Sequence, residues 1–486
     1  MTIQKLATGI AAFDHISDGG LPLGRTTLLA GSPGCGKTLF GSQFLAMGIQ
    51  HFDQAGVFVT FEEQVEDIRL NLRSLGWDID QWEKDGKWVF LDASPKDGDA
   101  PVTVGTYDLS AFQVRLERAV TKCNAQRVVL DSMGNVFAQY PEMNSFRREL
   151  FQVTQTLGRL RATSLITTER SEEYGRVSRS GVEEFLTDNV IILRNVLYDE
   201  KRRRTIEILK FRGSKHEKGE NLYTIVPERG IVIIPLSAMD LRYRSSGVRV
   251  TSGVAKLDEM CGGGFYRDSI VLVSGSIGAG KTLLVASFLN GVRERKERAL
   301  LLAFEESREQ IFRNAAGWGY DFAGLEADGS LKVECLYPEV SSLEDHYLHI
   351  QRLVEEFKPD RIALDSLSAL SRTSTDKAFR EFVIGLTSFL KHQQITCLLT
   401  VTTTLLSGGT SDTEGNISPL TDTIILLRYV EMSGDMQRSL SVLKMRGSKH
   451  DSSIRGFTID DKGLNLGAPF TGVSGILTGI APVHKL

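Results

Sequence analysis

Along this chain, short unbroken apolar runs alternate with longer stretches whose apolar residues recur at helical spacing. Thr26-Thr-Leu-Leu-Ala30 reads as a buried strand, and Leu39-Phe-Gly-Ser-Gln-Phe-Leu-Ala46 after it as a helix. The same pair returns as Ser269-Ile-Val-Leu-Val273 followed by Leu283-Leu-Val-Ala-Ser-Phe-Leu289. Residues 109–121 and 344–357 are amphipathic in pattern, and each precedes a strand ending in aspartate. This alternation predicts an α/β fold, a mostly parallel sheet flanked by helices on both faces. Ligands of such sheets bind beyond the carboxyl ends of the strands.

The pattern is written twice. Thr8-Gly-Ile-Ala-Ala-Phe-Asp14 returns as Ser252-Gly-Val-Ala-Lys-Leu-Asp258, and Val128-Val-Leu-Asp131-Ser132 as Ile362-Ala-Leu-Asp365-Ser366. Val59-Thr-Phe-Glu62-Glu63 recurs as Leu302-Ala-Phe-Glu305-Glu306, and Lys210-Phe-Arg212-Gly-Ser-Lys-His216 as Lys444-Met-Arg446-Gly-Ser-Lys-His450. Order is kept and the spacing drifts by only a few residues, so the chain is a tandem duplication. The expected division is residues 1–236, a linker at 237–248, and residues 249–486.

Between each predicted strand and helix stands G-x-x-x-x-G-K-T, as Gly31-Ser-Pro-Gly34-Cys-Gly36-Lys37-Thr38 and Gly275-Ser-Ile-Gly278-Ala-Gly280-Lys281-Thr282. The glycines let backbone N–H groups curl around a phosphate at a helix N-terminus. Lys37 and Lys281 would reach the β/γ-phosphates of ATP, and Thr38 and Thr282 would hold Mg²⁺. Asp131 and Asp365, after apolar runs, would hold the same ion through water; an aspartate capping the next helix gives the same pattern. Glu62-Glu63 and Glu305-Glu306 offer carboxylates to orient or deprotonate an attacking nucleophile, and their proximity should raise one pKa of each pair. The alternative is an acid-rich first turn of a helix, as in Glu305-Glu-Ser-Arg-Glu309. Lys210/Arg212 and Lys444/Arg446 stand two apart near a strand end and share a face. Such cations, supplied from a neighbouring subunit, stabilise charge on a transferring phosphoryl group.

Composition adds mainly exclusions. The 486 residues are 41% hydrophobic and 24% charged with a formal net charge of −4, which offers no global attraction to nucleic acid. Arg202-Arg-Arg204 lacks interleaved aromatics and reads as a solvated hairpin loop rather than a nucleic-acid patch. Five scattered cysteines without CxxC spacing argue against disulfides or zinc and for a reducing compartment. Cys35 lies inside the first phosphate loop, where nearby positive charge could lower its pKa; the alternative is a small residue tolerated in the loop. No apolar run is long enough to span a bilayer, and a cytoplasmic protein is expected.

With these residues assembled, the chain resembles the KaiC family, double-domain RecA-like ATPases and autokinases of the cyanobacterial clock. Ser252-Gly-Val…Leu-Asp-Glu-Met-Cys-Gly-Gly-Gly264, Arg361-Ile-Ala-Leu-Asp-Ser-Leu-Ser-Ala-Leu370 and Thr421-Asp-Thr-Ile-Ile-Leu-Leu427 carry the likeness, which covers nearly the whole chain. The resemblance implies two tandem RecA-like P-loop NTPase domains and a double-ring homohexamer with ATP between subunits. It implies ATP hydrolysis by Glu62 and Glu63, and phosphotransfer to the protein itself served by Glu305 and Glu306. Nucleotide contacts are implied for His216, Lys218, Trp318, His450 and Asp461. The family's Ser-Thr acceptor pair aligns with Ser418-Pro419, so the threonine is missing and Pro419 pushes Ser418 toward extended geometry. Thr413 aligns with a position implicated in phosphate shuttling, and Glu184-Phe185 carry no hydroxyl. A KaiB-like partner is implied. The short segment after Gly467 argues against KaiA binding there. The alternative to the autokinase is an ATP-gated ring scaffold with ATPase activity and no phosphotransfer. A RecA-like nucleic-acid motor is disfavoured by the acidic balance.

Overall fold

The computed structural model describes residues 3–94, 109–133, 143–177, 187–198, 201–234, 245–403, 415, 417–432 and 435–471. Thr413, Glu184-Phe185, most of the expected linker and the last residues of the chain lie outside them. The chain divides into two compact units, Met1–Ala238 and Met239–Leu486, each with its own nine-stranded sheet.

Six strands of the N-terminal sheet run parallel. From the edge they are Trp88–Asp92, Gly56–Thr60, Arg127–Asp131, Thr163–Glu169, Thr26–Gly31 and Asn189–Tyr198. Lys201–Phe211, Glu220–Val226 and Gly230–Ile234 then add antiparallel. The C-terminal sheet repeats this order, from Leu331–Cys335 through Ala299–Ala303, Arg361–Asp365, Thr396–Thr402, Ile270–Gly275 and Thr423–Met432. Asp435–Met445, Arg455–Asp460 and Gly463–Pro469 complete it. Both are the mostly parallel, helix-flanked sheets of a RecA-like fold, once in each unit.

The central strands read as continuous apolar runs because both faces are covered. In the N-terminal unit Leu29, Phe58, Val129 and Leu165 pack on one face. Leu28, Val57, Val59 and Leu130 pack on the other. The expected helices form as Lys37–Phe52, Leu109–Cys123, Lys281–Asn290 and Leu343–Phe357. The repeated Thr/Ser-Gly…Asp motif is a carboxylate clamp: Asp14 accepts from the backbone N–H of Thr8 at 2.7 Å, and Asp258 from that of Ser252 at 2.7 Å.

One expectation fails. Arg202, Arg203 and Arg204 are not a hairpin loop; they lie inside the strand Lys201–Phe211, opposite Leu197, Val196 and Asn195. The run hides its strand because charged side chains replace the alternation that resumes only at Thr205.

Candidate functional site

Each sheet's central strand, Thr26–Gly31 or Ile270–Gly275, turns into its helix through a glycine-rich loop. Gly36 and Gly280 cap those helices at φ 92° and 103°, and Gly34 and Gly278 also have positive φ, which only glycine adopts without strain. The loops curl around their lysines. Lys37 Nζ donates to the carbonyls of Gly31 and Ser32 at 3.0 and 3.2 Å, and Lys281 Nζ to those of Gly275 and Ser276, both at 2.9 Å. Lys281 is buried, and that burial lowers its pKa.

Asp131 and Asp365 end the strands two over from the phosphate-loop strands and aim at the loop threonines. Thr282 Oγ1 donates to Asp365 Oδ2 at 2.8 Å, and Thr38 is likewise bonded to Asp131. Thr400 and Thr167 supply a second hydroxyl to each aspartate. Burial nevertheless pushes both carboxyls up. A hydroxyl beside a desolvated carboxylate is an oxygen-only donor set, and it fits a hard dication such as Mg²⁺.

The glutamate pairs follow the strands Gly56–Thr60 and Ala299–Ala303. Ser132 Oγ donates to Glu62 at 3.1 Å, and Ser366 Oγ to Glu305 at 3.0 Å. Glu63 and Glu306 have raised pKa values, chiefly from burial and then from Asp131 or Asp365, with the paired glutamate a smaller cause. The glutamates are not a first helical turn: the helix Arg308–Gly317 starts after them, with Ser307 and Gln310 forming a capping box. The surroundings differ between the units. The N-terminal cleft, about 500 Å³, is lined by Lys37, Thr38, Glu62, Glu63 and Asp131. The C-terminal cavity, about 40 Å³, is lined by Thr282, Glu305, Glu306, Trp318 and Asp365. There Arg372 also binds Glu305 at 2.7 Å.

Asp461 reaches the same region, its carbonyl lying against Gly319 beside Trp318. The basic motif does not. Phe211 pairs with Asn189, and Thr27 pairs with Asn189, so Lys210 and Arg212 stand at the amino end of the phosphate-loop strand. Lys210 Nζ donates to the Thr187 carbonyl at 2.7 Å, and His216 packs edge-on against Phe211 nearby. Lys218 follows on the same exposed turn before Glu220–Val226. Lys444, Arg446 and His450 repeat this placement. Lys444 Nζ donates to the carbonyls of Ser418 and Thr421 at 3.0 and 2.8 Å, and Arg446 to that of Pro419 at 3.0 Å. Ser418 opens a short 3-10 turn, Ser418–Leu420, so the extended geometry expected before Pro419 is not taken up.

Cys35 fits the alternative of a small residue tolerated in the loop. Its thiol is buried, and burial raises its pKa more than Lys37 lowers it. Sequence reasoning also missed Tyr429 and Arg438. The Tyr429 hydroxyl donates to the Gly278 carbonyl at 2.7 Å and Arg438 Nε to the same oxygen at 3.4 Å. Each is more than a hundred residues from the loop it touches, and no local pattern marks such a pairing.

A family model described as "ATPase: KaiC" matches residues 6–238 and again 250–469. The chain is 57% identical over 477 residues to the circadian clock protein KaiC3 of a Synechocystis species, covering 98% of this chain and 94% of that one. It is 53% identical to the circadian clock oscillator protein KaiC of Synechococcus elongatus, covering 98% and 92%. The same comparison with KaiC of Thermosynechococcus vestitus gives 52% identity with 98% and 92% coverage.

Proposed function

The chain belongs to the KaiC family of ATPases, and on that premise we propose an ATP-dependent homohexamer. Its N-terminal ring hydrolyses ATP, and its C-terminal ring phosphorylates Ser418 of the adjacent copy. The observation that carries this reading is a separation. Val271 pairs with Thr423 and Gly275 with Leu427. At ~3.3 Å rise per residue, Thr423 therefore sits roughly 13 Å down the sheet from the start of its own phosphate loop. Ser418, Lys444 and Arg446 lie at that far end, out of reach of the chain's own γ-phosphate. A second copy completes the site.

In the N-terminal unit, Lys37 and the loop N–H groups bind the β/γ-phosphates, and Glu62 or Glu63 orients or deprotonates water. Thr38 with Asp131, and Thr282 with Asp365, would hold Mg²⁺, which supplies charge neutralisation on the phosphates. Trp318 and Asp461 flank the C-terminal nucleotide. At that interface Glu305 takes the proton of the neighbour's Ser418 hydroxyl, whose oxygen attacks the γ-phosphorus. The bond to the β,γ-bridging oxygen breaks, and ADP leaves. Lys444 and Arg446, with their N-terminal counterparts Lys210 and Arg212, balance the developing charge across each interface. His216 and Lys218 in the N-terminal unit, and His450 in the C-terminal unit, would take part in these trans contacts. Thr413 is the second candidate acceptor.

The names of the relatives support a role in clock-like timing or signalling; a KaiB-like partner is proposed from the family resemblance alone. Among the described residues no helix is long and apolar enough to cross a membrane. A second reading, a ring scaffold with ATPase activity alone, draws on Pro419: its ring restricts Ser418, and its carbonyl is already held by Arg446. Phosphosite mapping after incubation with ATP, in wild type beside Ser418→Ala, separates the two. Phosphate on Ser418 or Thr413 supports the autokinase; phosphate on neither, with ATP bound in both units, leaves the scaffold. Light scattering with and without ATP tests assembly, which Lys37→Ala should impair more than Lys281→Ala.

A further inference from the structure

The second residue of each phosphate loop is a serine, and the two are held differently. Ser32 Oγ donates to Glu173 Oε1 at 2.5 Å, while the backbone N–H of Asn195 donates to Glu173 Oε2 at 3.1 Å. Glu173 thus ties the loop to the neighbouring strand Asn189–Tyr198. Its own backbone is fixed as well, since Arg194 Nε donates to the Glu173 carbonyl at 3.0 Å. Arg194 in turn binds Glu207 and Glu220, and Tyr174 stacks over it at 5.0 Å. In the C-terminal unit Ser276 is equally buried, but its hydroxyl has no partner among the described residues. Gly31 pairs with Glu169 and Gly275 with Thr402, and four residues further along the sequence stand Glu173 in one unit and Leu406 in the other.

We propose that Glu173 is a positioning residue for the N-terminal nucleotide site, acting through Ser32 to hold the phosphate loop in its binding shape. The two carboxylate oxygens accept from two elements at once, so the loop is ordered before nucleotide arrives. Ordering cost is then removed from binding. The carboxylate repels phosphate, but the charge of Arg170 nearby offsets it. Among the described residues the C-terminal loop shows no such tie at Ser276.

The inference rests on the reading of the N-terminal loop as an ATP site, and the experiment separates the two. Dissociation of a fluorescent, non-hydrolysable ATP analogue is measured on the full chain in a Lys281→Ala background. Failure of the parent to bind would remove the ATP reading itself. With the parent binding, Glu173→Ala should speed release about tenfold, the loss of a charge-assisted hydrogen bond. Ser32→Ala should do the same, and the double variant should add little, because both remove one interaction. Glu173→Gln keeps an acceptor for Asn195 and a donor for Ser32, and it should restore most of the retention. Release unchanged in Glu173→Ala, or additive effects in the double variant, would overturn the proposal. If Glu173→Ala does not fold, Glu173→Gln and Ser32→Ala decide it: retention lost in the second and kept in the first supports the latch, and any other pattern sinks it.

Discussion

The two phosphate loops follow one backbone course and are anchored at different points. In the N-terminal unit the Tyr223 hydroxyl donates to the Cys35 carbonyl and Glu173 holds Ser32. In the C-terminal unit Tyr429 and Arg438 hold the Gly278 carbonyl instead. The tyrosines are not equivalent: Tyr223 stands where the second unit has Phe457, and Tyr429 where the first has Asn195. The motif itself is therefore shared, while its anchoring was rebuilt after duplication. A loop's residue types set what it can bind; its anchors set how firmly the shape is kept, and those can be tuned in one unit without touching the other.

The widest gap between the units should appear in turnover. On the proposal that ATP hydrolysis resides mainly in the N-terminal unit, Glu62→Gln/Glu63→Gln should lower steady-state phosphate release by about 10²–10⁴-fold, the usual contribution of a positioned base. Glu305→Gln/Glu306→Gln should leave most of it. Equal losses from the two double variants would erase the distinction.

Next comes a buried arginine that both units share. Arg127 and Arg361 are fully buried at equivalent strand starts. Arg361 pairs with Glu297, which also binds Arg267 at 2.6 Å. Arg127 has an amide in that place: it donates to Gln54 at 2.8 Å and to the carbonyls of Ala7, Thr8 and Phe44. Burial accordingly pushes its guanidinium down to about 10, with Asp14 opposing. Removing one member of a buried ion pair strands the other, so Glu297→Ala should destabilise its unit by about 3–5 kcal/mol. Gln54→Ala leaves Arg127 three carbonyl acceptors and should cost about 1–2 kcal/mol. Denaturant melts of the full chain, with the two transitions followed separately, would compare them.

Much of this was legible in advance where the signal is local. Strand, loop and helix around Lys37 and Lys281 are contiguous in sequence, and duplication let each weak pattern, such as Asp131-Ser132, be checked against its copy. The start of the helix Arg308–Gly317 was missed: the acidic run suggested a first turn at Glu305, while the structure caps the helix at Ser307 with Gln310. The anchors were not legible either. Glu173 meets Ser32, Tyr223 meets Cys35 and Tyr429 meets Gly278 across more than a hundred residues, and the sheet order decides those meetings. Arg202–Arg204 misled for a related reason: their pairing with Asn195, Val196 and Leu197 depends on a hairpin register that charge patterning does not reveal.

Exchanging the anchors gives a smaller effect. Tyr223→Phe imitates Phe457 and should destabilise the N-terminal unit by about 1 kcal/mol, the net value of an ordinary hydrogen bond. Tyr429→Phe should cost the C-terminal unit about the same and leave the other transition unmoved. A shift in both transitions from either change would mean that the anchors are not private to their units.

The smallest effect is expected at Cys35, where the C-terminal loop has Ala279. Its position beside Lys37 suggests a reactive thiolate, and thiolate formation is what alkylation needs. Two opposing forces act there. The Lys37 charge stabilises the thiolate, and desolvation in a site of zero exposure destabilises it; the second is the larger, so the thiol stays protonated at neutral pH. Burial also blocks access, because Cys35 packs in the core with Phe40 and Ile191. The native protein treated with iodoacetamide near pH 7.5 should therefore label at exposed Cys335 well before Cys35. Raising the pH alone should change little at Cys35 until the fold opens. Cys35→Ala removes one small buried side chain and makes the loops alike at this position. It should cost the N-terminal unit about 1 kcal/mol and leave its nucleotide retention close to wild type, since the side chain packs into the core with Phe40 and Ile191. Rapid labelling of Cys35 in the folded chain, slowed by ATP, would instead place that thiol inside the binding site and make it a functional difference between the two units.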